Sequence, residues 1–152
     1  MNQSKYFYNN EAFGIVAIAS VLKYSKTLPL SKALLILPTV AHKETLNYLK
    51  RANSDVKSIE QLIIKKGNLV TNFNSRFQSL LPVSINSINI LCEMKYVKFV
   101  DEHLSLLDES KFNFSEPSLG GRARAIVQAS SKITVLLQKN ANDLYLQLRV
   151  QL

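Results

Sequence analysis

The sequence predicts a mainly α protein, a helical domain with a winged-helix-like core and one small β-hairpin. Three observations carry this. Apolar residues recur at helical spacing through most of the 152 residues, and only four glycines and four prolines interrupt them. The period drops from about 3.6 to 2 over one short stretch, residues 96–107. The order of segments there, helix, helix, hairpin, is that of a winged-helix unit.

The elements follow in chain order. Asn9 or Asn10 is placed to cap a first helix, with Glu11 at the positive end of its dipole, and the helix is expected to reach Tyr24. Lys26-Thr27-Leu28-Pro29 breaks it. Ser31 then caps the apolar run Ala33 to Leu37, read as a short buried helix stopped by Pro38, although a run this short also suits a strand. A third helix spans Lys43 to Arg51. Ser58 opens another over Ile59 to Lys65, which Gly67 closes with an expected left-handed cap. Leu69, Val70, Phe73, Phe77, Leu80 and Leu81 form one buried stripe of a helix that Pro82 is expected to end. Ser84 starts the next, with Ile85, Ile88, Leu91 and Cys92 on its inner side. Tyr96 to Val100 and Leu104 to Leu107 read as paired strands around the turn Asp101-Glu102-His103. Residues 108–121 are irregular, and a long helix covers Arg122 to Lys139. In the tail, Leu144, Leu146, Leu148, Val150 and Leu152 alternate, which predicts a terminal strand. No internal repeat is present, and residues 1–152 read as one domain.

Composition narrows the function classes. With 47% hydrophobic and 20% charged residues, a chain of this length buries a sufficient core without disulfides or metal. Cys92 is the single cysteine, and His42 and His103 lie far apart, so no zinc spacing exists. These features point to a reducing cytoplasm. Ala17-Ile18-Ala19-Ser20 imitates a signal-peptidase site, but hydrophobicity continues through Val21 and Leu22 and the preceding apolar stretch is too short. The run 12–22 also falls short of the roughly 18–20 residues that span a bilayer. It reads as a helix buried on most sides, and no membrane association is expected.

Catalysis requires a nucleophile, a base in reach and an orienting group, and no local set supplies them. His42 sits at a helix start, His103 in a solvated turn, and Cys92 on an apolar stripe. The expectation is a protein that is not an enzyme, with no catalytic residue, no cofactor and no metal. The net charge of +8 invites a nucleic-acid reading, so its distribution matters. Residues 1–56 hold seven basic and three acidic groups, 57–110 six and six, and 111–152 six and two. The hairpin unit is thus neutral with acids at its tip, unlike a DNA-reading wing, while the basic ends suit phosphate or an acidic partner surface.

Gly120-Gly121-Arg122-Ala123-Arg124 lacks the spacing and the Lys-Ser/Thr of a phosphate-binding loop; it reads as a helix entry with surface or partner-facing arginines. Just upstream, Phe112 and Phe114 bring aromatics into a polar stretch. Phe112, Phe114, Arg122 and Arg124 are therefore the expected partner contacts, since exposed aromatics beside arginines have the composition of interface anchors. The alternative is that both rings fold onto the domain's own core.

The ordered pieces Tyr8-Asn9-Asn10-Glu11-Ala12-Phe13-Gly14, Leu28-Pro29-Leu30, Ile36-Leu37-Pro38-Thr39-Val40-Ala41-His42-Lys43-Glu44-Thr45-Leu46, Arg76-Phe77, Leu80-Leu81-Pro82 and Leu119-Gly120-Gly121-Arg122-Ala123-Arg124 ahead of Ala129-Ser130-Ser131-Lys132 cover nearly the whole chain. In that order the sequence resembles the middle component of prokaryotic three-component ABC ATPase systems. The resemblance implies a small winged-helix-like adaptor whose partners are a Rad50/SMC-like ABC ATPase and a third, effector protein, in a module for defence against phages. Nucleic acid would then be met through the complex. It supplies no catalytic residue. Gly120-Gly121 departs from the expected Gly followed by a basic residue, which weakens any anion-binding role there. The rival reading is a winged-helix nucleic-acid-binding regulator.

Overall fold

The structure, a computed structural model, describes residues 3–108, 113 and 120–152, with side chains from residue 10 onward in the first helix. It is mainly α, with one small antiparallel sheet.

Helix α1 (Gln3–Ser25) is the central rod. Val16 through Leu22 are all buried, with Ala17 to Leu22 showing no exposure, so the helix is wrapped on every side at its middle. It begins at Gln3 rather than at the expected Asn9 or Asn10. Nothing between Gln3 and Phe13 breaks a helix, and an interior Asn costs only a few tenths of a kcal/mol, roughly, so propagation wins over capping. Lys26, at φ 65°, donates its N–H to the Leu22 carbonyl and turns the chain out.

That exit leads into strand β1 (Thr27–Pro29), where only a break was expected. Helix α2 (Leu30–Ala33) is followed by α3 (Ile36–Ala41). Pro38 therefore lies inside a helix instead of stopping one. It is the third residue of α3, where backbone N–H groups have no intrahelical acceptor, so its missing donor removes no bond. Ser31 does not cap, because α2 starts one residue earlier behind Pro29. Helix α4 (Lys43–Leu49) follows the extended residue His42. Ser58 does cap α5 (Ile59–Lys66), its hydroxyl accepting the Gln61 N–H at 3.0 Å. Gly67, with φ −55°, is right-handed and opens a 3-10 turn over Gly67–Val70 instead of making a left-handed cap.

Helix α6 (Phe73–Glu93) replaces the two helices expected on either side of Pro82. Pro82 is exposed, so the carbonyl of Gln78 that loses its partner faces solvent. On the opposite face Phe77, Val83, Ser84, Ser87, Ile88 and Leu91 are buried and hold both halves in register. A single helix thus precedes the hairpin. Its C-terminus closes as a Schellman turn: Tyr96 N–H reaches the Leu91 carbonyl (3.0 Å), Lys95 N–H reaches that of Cys92 (3.0 Å), and Lys95 takes φ 60°. Buried Tyr96 and Leu91 supply the accompanying apolar contact.

Strands β2 (Val97–Val100) and β3 (His103–Leu106) form the predicted hairpin, closed at Val100 and His103. Asp101 and Glu102 both have positive φ, 54° and 63°, which makes the turn a two-residue type I′. β3 also pairs with β1, Leu28 opposite Leu104, giving the order β1-β3-β2.

Helix α7 (Gly121–Leu136) packs against α1 and α4 and buries Ala125, Ile126, Ala129 and Ile133. The predicted terminal strand is a helix, α8 (Ala141–Gln147). Asn140 caps it, accepting the Asp143 N–H at 2.9 Å, and Leu144 with Leu148 forms a buried i, i+4 pair. Tyr145 packs edge-on against Phe77 and donates its hydroxyl to the Ser31 carbonyl at 2.7 Å. A second Schellman turn, with Arg149 at φ 58°, ends it. Among the described residues, no helix is long and apolar enough to cross a membrane.

Candidate partner interface

The expected interface residues separate. Phe112 and Phe114 lie outside the described residues. Arg122 and Arg124 are both exposed in the first turn of α7, which Gly120 enters in extended geometry without a side-chain cap. Their neighbours Ala123, Ala125 and Ile126 are buried, so the arginines sit where the helix face turns outward.

Arg122 is anchored. Its guanidinium lies 4.4 Å from the centroid of the Phe13 ring on α1, a cation–π contact worth about 0.5–1 kcal/mol at a site this open. From there it lines a cleft of about 350 Å³ between α3, α4 and α7. The floor is Val40, Leu46 and Ala125, and the rim carries Lys43, Asn47, Lys50 and Arg122. Lys43, Asn47 and Lys50 recur at i, i+4 and i+7 on α4, and both lysines are exposed. Among the described residues no carboxylate lies within ion-pair distance of Lys43, Lys50 or Arg122, whereas elsewhere Lys139 pairs with Glu60 (3.1 Å) and Lys57 with Asp55 (3.9 Å). Arg124 does not line the cleft. Sequence reading did not single out the two lysines that line this cleft, although their spacing on a predicted helix was the available signal.

The histidines and the cysteine do other work. The Thr45 hydroxyl donates to the Leu69 carbonyl (2.8 Å), which leaves it to accept from His42 Nδ1–H (2.8 Å). Burial, together with the Arg76 charge, pushes the His42 pKa below the usual imidazole value, against a smaller opposing pull from Glu44. Arg76 donates from Nε to the Pro38 carbonyl (3.2 Å) and from Nη1 to the Thr71 carbonyl (2.8 Å). These bonds tie α3, α4 and the 3-10 turn to α6. His103 Nδ1 lies 2.8 Å from the Asp101 carbonyl, inside its own turn. Burial pushes the half-buried Cys92 thiol up, away from the reactive thiolate. Among the described residues no three His, Cys, Asp or Glu side chains are grouped to hold a metal ion.

A second concavity, about 990 Å³, opens between the hairpin and α8, lined by Leu30, Leu34, Phe99, Tyr145, Leu146 and Val150 among others. Phe99 and Leu146 are largely exposed there.

The fold is thus a helical domain built around one buried rod, with a cationic cleft on its surface. The chain belongs to the family of Middle Component 3 of the ABC-three component (ABC-3C) systems, whose profile matches residues 5–152. No curated protein and no solved structure matches the chain significantly.

Proposed function

We propose that this protein is a non-enzymatic adaptor that links a Rad50/SMC-like ABC ATPase to the effector component of its system, in the cytoplasm, in defence against phages. Membership in a middle-component family carries the reading, since such a component belongs to an assembly of several subunits. Two features of the chain support it. Its histidines and cysteine are engaged in local packing and hydrogen bonding, and three cations with no ion-paired carboxylate among the described residues, Lys43, Lys50 and Arg122, line one concave surface.

Co-expression with the ATPase and the third component tests the proposal. A tagged form of this chain is expected to retain both through purification, and alone to show no ATPase, nuclease or protease activity. An activity that follows the protein through stringent purification, or failure to retain either component, contradicts it. Titration with duplex DNA at about 50 and about 200 mM salt tests the regulator alternative, for which affinity would fall by roughly 10³-fold or more across that range if several phosphates were contacted.

A further inference from the structure

We infer that the α3/α4/α7 cleft docks an acidic, aliphatic-bearing helical segment of another protein component of the system. The inference rests on the adaptor reading and names the chemistry of one of its contacts.

Lys43, Lys50 and Arg122 converge on one concavity with no carboxylate among the described residues to balance them. Three cations on one rim repel one another, and the cheapest relief is an acidic ligand. The spacing is informative. Lys43 and Lys50 are two helical turns apart, about 10 Å along α4 at 1.5 Å per residue. A helix laid along α4 with carboxylates seven residues apart meets both lysines at once, and a third carboxylate on the same face reaches Arg122. Phe13 already holds that guanidinium, so little side-chain freedom is lost when it pairs.

The floor decides between protein and nucleic acid. Val40, Leu46 and Ala125 are aliphatic, and the lining holds no aromatic ring on which a base would stack. A cavity of about 350 Å³ takes a leucine-sized side chain from a helix. Asn47, between the lysines, offers an amide to a carboxylate or backbone carbonyl.

The complex of this chain with its ABC ATPase and third component provides the test. Carbodiimide couples a lysine amine directly to a carboxylate that touches it, so treatment followed by peptide mass spectrometry should link Lys43 and Lys50 to Asp or Glu of one partner component. The variant K43E/K50E, which leaves the Arg122–Phe13 contact intact, should bind that component at least tenfold more weakly while its melting temperature stays within about 2 °C of wild type. Raising salt from about 50 to about 500 mM should weaken the wild-type contact and leave the variant's residual binding little changed. The inference is overturned if the variant binds both components as wild type does, or if cross-links arise only at other lysines; the adaptor reading then stands and the contact lies elsewhere. It is equally overturned if K43E/K50E loses duplex-DNA binding but keeps both proteins. If wild type binds neither component, the adaptor reading itself has failed.

Discussion

The approach of α1 to α6 is set by one glycine, and substituting it has a consequence whose sign can be worked out. A Cβ built on Gly14 would lie 2.2 Å from Ser87 Oγ and 3.0 Å from Ser87 Cβ. Rotating the serine hydroxyl away would forfeit its bond to the Val83 carbonyl (2.8 Å) and its approach to the Glu11 carbonyl (3.2 Å). The Cβ contact would still remain, so the helices must part slightly. Overpacking of this kind costs about 1–3 kcal/mol. Against it stands the gain of about 1 kcal/mol when alanine replaces glycine inside a helix. Gly14→Ala should therefore destabilise by up to about 2 kcal/mol net, which lowers Tm by up to roughly 6 °C for a chain of this length. In a Ser87→Gly background the obstruction is gone, and the same substitution should stabilise by up to about 1 kcal/mol. Thermal melts of the four proteins in this cycle provide the measurement. If Gly14→Ala alone raised Tm by about 3 °C, helix propensity would be the only force acting and the close-contact argument would be wrong.

Three further outcomes are expected. Pro82→Ala restores a backbone donor on the exposed side of α6 and should stabilise by about 2 kcal/mol, read as a higher midpoint in urea; a loss of stability would mean that the proline sets a bend the fold needs. Glu102→Gly relieves a positive φ in the type I′ turn and should add about 0.5–1 kcal/mol in the same assay. His42 holds its proton less readily in the fold than in the unfolded chain, whose imidazole titrates near 6.5, so its contribution is complete above that pH and is lost as pH falls through 6.5 toward the depressed folded value. The difference in stability between wild type and His42→Gln should therefore shrink on acidification from pH 7.5 to 5, and a constant difference would contradict the assignment.

The places where the sequence was and was not legible share a cause. The hairpin could be read because its turn residues and its period of two agree, and Ser58 announced its helix because the cap is local. The two prolines misled. Pro38 and Pro82 lie where a helix has no bond to lose or faces water, and which face is exposed depends on packing that a linear pattern does not contain. The tail shows local chemistry beating periodicity: Leu144 to Leu152 alternate, but the Asn140–Asp143 cap and the Leu144–Leu148 pair select a helix. β1 escaped notice because three residues hold no period; only pairing with β3 makes them a strand. At the cleft, the position of Arg122 in a helix start was legible and so was the i, i+7 spacing of Lys43 and Lys50, whereas their convergence depends on α7 lying beside α4. The family-like pieces also acquire a physical role, because Arg76 bonds to Pro38 and Gly14 admits Ser87. The motifs that carried the resemblance are stitches of the fold.

The linking role is tested most directly by omission. The purified ABC ATPase and the third component, mixed with and without this chain, can be followed by size-exclusion chromatography with light scattering. The adaptor account predicts one species containing all three proteins when the chain is present, and two separate species when it is left out. A stable ATPase–effector complex of unchanged mass in its absence would contradict the account.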